Sequence, residues 1–177
     1  LTKEQVGAVF WPDSNTVQLK LRFKNEMYRL RRAVGQEAVL FDGSNYFFNR
    51  NLDFEYDVDT LVNGLLRARK AKTAEEKMRA YQDAVEAVRG LYLEDIYSDW
   101  VLVDRERYRR EYLDALLDLA GLLFERKDLE QALKICQYAL AADSSTEEVY
   151  RLMMRIHAAR GDRLAVTRQY QACLDTL

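Results

Sequence analysis

Six cationic side chains lie between Thr16 and Gly35: Lys20, Arg22, Lys24, Arg29, Arg31 and Arg32. The only acid among them is Glu26. The stretch therefore carries +5 in a chain whose formal net charge is −2, which leaves −7 for the rest. A local cationic patch on an acidic body suits a polyanion, and a nucleic-acid backbone is the most regular one. The residue types sharpen that reading. Arginine can offer two hydrogen bonds to a guanine edge, and asparagine or glutamine two to an adenine edge. Asn25, Arg29 and Arg32 are thus candidates for base edges, with Tyr28 and Gln18 behind them. Lys20, Arg22, Lys24 and Arg31 suit phosphates, which set register and give salt-dependent affinity. Arg31 equally suits a structural ion pair with Glu37 or with the later helices. Thr16 adds a hydroxyl and a helix N-terminus to the phosphate set.

These side chains can act together only on one helix face. Thr16 is predicted to cap a helix that runs to about Val34, where Gly35 stops it. Leu19, Phe23, Met27, Leu30 and Val34 recur at steps of 4, 4, 3 and 4 and draw one apolar stripe. At about 100° per residue, the opposite face carries Gln18, Leu21, Asn25, Tyr28, Arg29 and Arg32. Lys20, Lys24 and Arg31 flank it, and Leu21 is the apolar exception. A short helix is predicted upstream over Thr2–Trp11, with Thr2 as its cap and Val6, Val9 and Phe10 on one side. Pro12 to Asn15 is turn chemistry. Downstream, Ala38–Phe41 and Tyr46–Phe48 are strand-prone runs around Asp42-Gly43-Ser44-Asn45, which predicts a β-hairpin.

From about Asp57 the pattern is helical throughout. The predicted helices are Asp59–Lys70, Ala74–Arg89, Ser98–Arg126, Leu129–Ala142, Thr146–Arg160 and Arg163–Leu177. Between the second and third of these, Gly90–Tyr97 reads as a linker that packs, with Tyr97 and Trp100 holding it to the long helix. The last third repeats with an offset of 34 residues: Arg126 with Arg160, Asp128 with Asp162, Gln137 with Gln171, Leu140 with Leu174. Leu116 pairs with Tyr150 and Ala132 with Val166. A period of about 34 with two helices per unit resembles the tetratricopeptide repeat. Ala120, Ala132 and Ala139 would be its small close-approach residues, whereas Met154 and Ser144 depart from that pattern. Stacked helix pairs of this kind are binding scaffolds far more often than catalysts.

Other chemistries find little support. Phosphate-loop patterns of either glycine-rich type are absent. The single histidine, His157, has no second imidazole to share a metal with. Cys136 and Cys173 are far apart and fall at packing positions, as small apolar residues do. Glu94, Asp95, Asp99 and Asp104 lie around a helix start, where acids are stabilising. Arg105–Glu111 is mixed in sign and reads as a solvated helix face with i,i+4 pairs. The expectation is no enzyme, no cofactor and no metal. No stretch approaches about 18 consecutive apolar residues, and no signal peptide is visible. The expected location is therefore the cytoplasm, away from membranes.

The segments Leu1–Val6, Trp11–Asp13 and Leu30–Gly35 resemble the OmpR-type winged helix-turn-helix. Asp57–Asp59, Tyr92–Trp100, Arg105–Arg107, Leu152–Arg155, Gly161-Asp162 and Gln169-Tyr170 resemble the bacterial transcriptional activator domain. In this order the whole is similar to the Streptomyces antibiotic regulatory protein family. The resemblance implies a mainly α fold: a partial winged helix-turn-helix with a β-hairpin wing over 1–52, then a TPR-like α-helical repeat domain over 57–177. It implies double-stranded DNA, RNA polymerase and further copies of the chain as partners. Thr16–Val34 would be the recognition helix, and Asn45 and Arg50 the wing contacts in the adjacent minor groove. The small β-sheet and first helix that open the family's winged helix have no counterpart here; the residues begin at its second helix. The competing expectation is a protein–protein interaction module whose helix-turn-helix remnant no longer binds DNA.

Overall fold

A computed structural model describes residues 1–176. The protein is mainly helical with one small antiparallel hairpin. It divides into two compact units, Leu1–Glu55 and Tyr56–Leu177. No helix among the described residues is long and apolar enough to cross a membrane.

The first unit opens with α1, Lys3–Phe10. Thr2 accepts from the Gln5 amide, and the Gln5 side chain returns to the Thr2 amide, which satisfies two free donors at once. Helix α2 spans Thr16–Val34. Its cap is Asn15 rather than Thr16. The Asn15 Oδ1 accepts from the amides of Val17 (3.1 Å) and Gln18 (3.0 Å), while Gln18 Oε1 accepts from the Asn15 amide (3.1 Å). Asparagine can serve two amides from one carbonyl, so the helix starts a residue earlier than a Thr16 cap allows and Thr16 becomes its first residue. Gly35 ends it at φ 102°, a left-handed conformation that favours glycine. Gly7 lets α1 meet α2: a Cβ there would lie 2.4 Å from the Leu19 side chain.

Strands β1 (Val39–Phe41) and β2 (Tyr46–Phe48) pair with Val39 opposite Phe48 and Phe41 opposite Tyr46. The Asp42 carboxylate organises the turn, accepting from the amides of Ser44 (3.0 Å) and Asn45 (2.7 Å). The free edge of β2 is met by Leu1. The Tyr46 amide donates to the Leu1 carbonyl at 2.8 Å, and the Leu1 ammonium to the Tyr46 carbonyl at 3.0 Å. Tyr46 stacks on Phe41 and leans on Phe23, the one buried member of the α2 stripe. Leu19 and Met27 are half-buried, whereas Leu30 and Val34 are exposed.

The second unit contains α3 (Asp57–Lys70), α4 (Ala74–Ala87), α5 (Asp99–Glu125), α6 (Leu129–Ala142), α7 (Glu147–Ala159) and α8 (Arg163–Thr176). Leu177, the last residue of the predicted final helix, lies outside the described residues. Helix α3 begins at Asp57, two residues before the sequence expectation, so Asp57 and Asp59 both sit in its positive first turn. Successive helices pack in chain order around one core that includes Leu61, Ala84, Leu116, Leu119, Cys136 and Ile156.

The 34-residue offset is visible in the geometry. Lys127 and Gly161 take the same left-handed conformation, φ 65° and 75°. After each, an aspartate holds the next helix: Asp128 accepts from the Gln131 amide, Asp162 from that of Ala165. Ala115 and Val149, Leu116 and Tyr150, Leu119 and Met153, and Ala139 and Cys173 are buried in equivalent pairs.

Helices α3 and α4 approach each other closely at Gly64. A Cβ on Gly64 would lie 2.7 Å from the Ala84 Cβ and 2.9 Å from the Ala80 carbonyl oxygen. Alanine is favoured over glycine within a helix by about 1 kcal/mol, but here it would force backbone apart. Gly64→Ala should therefore destabilise the protein by a net of about 1–3 kcal/mol. A denaturant midpoint equal to or above that of the parent would refute the close approach.

Candidate nucleic-acid interface

Helix α2 turns one side to Phe23's small core and leaves the other open. Lys20, Lys24, Asn25, Tyr28, Arg29 and Arg32 are all exposed on the open side. The side chains of Lys20, Lys24, Asn25, Tyr28 and Arg32 make no hydrogen bond or ion pair among the described residues. Arg29 donates through Nη1 to Glu26 Oε1 at 2.9 Å, with both side chains largely in solvent. A pair so exposed holds its partners weakly. Arg22 reaches back to the Ser14 hydroxyl at 3.0 Å and ties the preceding turn to the helix. Thr16 is exposed in the first turn. The same face also exposes Val17 and Leu21, at 79% and 61% of their surface.

Arg31 departs from the phosphate expectation and also from the expected pair with Glu37. Its Nη2 donates to the Val39 carbonyl at 2.9 Å, and its Nε is buried without a hydrogen-bond partner. The guanidinium therefore clamps α2 to the hairpin. The stripe periodicity places Arg31 on the flank of α2, next to the core side, where a long side chain can lay its stem on apolar surface. That position was the available signal. On the hairpin, Asn45 is half-buried, with its amide held by Asp42 and its Nδ2 directed to Ser44 Oγ at 3.2 Å. Arg50 is exposed and unpaired among the described residues.

The second unit has its own charge network, within the run expected to be a solvated face. Arg107–Asp104 and Arg110–Glu106 are surface pairs of that kind. Two arginines do more. Arg109 grips Glu106 through two nitrogens at 2.9 Å and reaches Asp143 after α6 at 2.6 Å. Arg105 turns to the 90–97 linker, where it donates to the carbonyls of Tyr92 (2.8 Å), Ile96 (3.1 Å) and Leu93. The linker thus packs, but not through Tyr97, which is 92% exposed. Tyr92 takes that role, edge-on to Tyr108 at 4.9 Å between ring centres.

The hydrogen bonds from Arg109 and then Arg110 hold the Glu106 carboxyl down to about 2, from an ordinary 4.5. Asp143 is also held down to about 2, from 3.8, first by the Ser145 hydroxyl and then by Arg109. A carboxyl depressed in the folded state adds stability above its unfolded value and loses it as pH falls toward the folded value. Stability should therefore decline between about pH 4.5 and 2. Arg109→Gln should flatten that decline in an acid-unfolding series; an unchanged acid limb would show that the network is energetically idle.

Cys136 and Cys173 are buried, and burial pushes the Cys136 thiol up to about 12. Among the described residues no group of His, Cys, Asp and Glu could hold a metal ion.

A family model described as the bacterial transcriptional activator domain matches residues 56–177, which is more than half of the chain and coincides with the second unit. No curated protein matches the sequence. The match runs across all six helices α3–α8, including the Arg105 clamp and both aspartate-capped turns. The chain belongs to the bacterial transcriptional activator domain family.

Proposed function

We propose that the chain is a DNA-binding transcriptional activator fragment, with α2 as the recognition helix of a winged helix-turn-helix and β1–β2 as its wing. Membership of the family supports an activator-type role. The observation that carries the DNA reading is the open face of α2, where four cations and Asn25 stand in solvent on one helix. A major groove about 12 Å wide admits one such helix. In this reading Asn25, Tyr28, Arg29 and Arg32 face bases. Thr16, Lys20, Arg22 and Lys24 face phosphates, Asn45 and Arg50 serve the wing, and Arg31 positions the wing against the helix. The second unit is a TPR-like scaffold, not an enzyme, that meets RNA polymerase or further copies of the chain in the cytoplasm.

The test is fluorescence anisotropy with a mixed-sequence duplex across a salt series. The three cationic phosphate contacts, Lys20, Arg22 and Lys24, give a slope of log affinity against log salt of about −3. Affinity that is weak and independent of salt would remove the reading. A second reading is favoured by Val17 and Leu21, two exposed apolar residues on the same face. There α2 is a protein contact and the unit is an interaction module. The same titration separates the two, because an apolar protein contact leaves no duplex binding to be screened.

A further inference from the structure

An apolar concavity of the second unit opens between the start of α3, the α4–α5 connection, α5 and the end of α6, with a volume of about 490 Å³. That lies within the range of small-molecule sites, about 300–1,000 Å³. Five tyrosines line it: Tyr56, Tyr92, Tyr108, Tyr112 and Tyr138. Burial raises the Tyr56 and Tyr112 phenols above their ordinary value, so these walls stay neutral near pH 7. Clustered rings present flat, polarisable faces and edges that favour another aromatic system.

The charged groups in the wall define the rest. Arg105 is occupied by linker carbonyls and Arg109 by two carboxylates. Asp57 is turned onto the Val58 amide of its own helix at 2.8 Å. Arg89 alone among these is exposed at the rim with no hydrogen bond or ion pair among the described residues. With Arg109 offset by its carboxylates, Arg105 and Arg89 still outnumber Asp57, which disfavours a cationic guest, although aromatic cages otherwise suit one. An anion, by contrast, meets a free guanidinium able to bind it through two parallel hydrogen bonds.

We propose that this cavity binds a small planar aromatic acid, its ring system seated among the tyrosines and its acid group on Arg89. Such a guest touches α3, α5, α6 and the α4–α5 connection together, so its binding stiffens the contact between successive helix pairs. The site stands whether or not α2 binds DNA.

Calorimetry on the full chain with two matched probes tests it: 2-naphthoate, and its neutral amide 2-naphthamide. Naphthoate should bind about tenfold more tightly than the amide, the worth of one charge-assisted contact. Arg89→Gln lies on an exposed connection and should erase that difference while leaving amide binding unchanged. Ala142→Phe narrows the cavity from the α6 side and should abolish both. Equal affinities in the parent chain, a preference that survives Arg89→Gln, or no binding of either probe overturns the proposal. If Ala142→Phe does not fold, tyrosine ring-proton shifts on adding naphthoate to the unaltered chain decide the location. Shifts at Tyr92 and Tyr108 support the site, and shifts confined to other tyrosines refute it.

Discussion

Leu116→Ala is expected to cost about 2–5 kcal/mol of folding stability, the range for a buried leucine truncated in a close-packed core. Leu116 lies in the second half of α5 with none of its surface exposed. Helix α5 packs against helices on both sides of it in the chain, and the core it shares with them is continuous, so the space left by the leucine is not expected to close fully. The cost therefore combines the lost transfer energy of the side chain with a residual cavity. Leu164→Ala is the matched control, because Leu164 is 77% exposed and its loss should change stability by less than about 0.5 kcal/mol. Urea unfolding of both variants measures the difference. A Leu116 variant within experimental error of the Leu164 one would mean that α5 is not the centre of the core.

Arg29→Ala and the double change Lys20→Gln with Lys24→Gln should impair DNA binding in different ways. Arg29 is held only by an exposed contact to Glu26, so a guanine edge can displace that carboxylate at little cost. Losing a bidentate base contact removes about 1–3 kcal/mol of discrimination at one position. The effect should appear as relaxed preference in a selection from random duplexes, with the salt slope nearly intact. The lysine pair should leave the preferred sequence alone and make the slope shallower by about 2. If Arg29→Ala gives the same selected sequence and affinity as the parent, Arg29 does not read bases. If both variants change only the slope, α2 is a phosphate contact and nothing more.

Periodicity made most of the helices legible, because each buries one face: Leu19 and Phe23, or Leu116, Leu119 and Leu123, recur as a helix requires. The hairpin was legible from Asp42 and Gly43, whose chemistry fits its tight turn. What the sequence concealed were long arginines acting at a distance. Arg105 and Arg109 sit in a run that reads as surface, yet one grips carbonyls 9 to 13 residues away and the other a carboxylate 34 residues away. A flexible side chain with five donors can choose among many partners, and only the packed backbone decides between them. The cap of α2 was misplaced for a related reason. Asn15 and Thr16 are both good caps, and the choice fell to the neighbour whose partner, Gln18, stood three residues on. The Tyr-lined cavity left no linear signature, since its rings come from four separate segments.

The Arg31 clamp has a kinetic consequence. With its guanidinium seated on the Val39 carbonyl, α2 and the hairpin are tethered at a fixed angle before any encounter. A long, flexible guide and a loose wing would have to be ordered one after the other on a target, each ordering step slowing capture. Under the DNA-binding proposal, two elements joined in advance would meet the target together, and association would be governed more by diffusion and charge steering than by ordering of the wing. Cutting the tether with Arg31→Met would slow association while leaving the docked lifetime largely as it was, because the groups that touch the target remain in place.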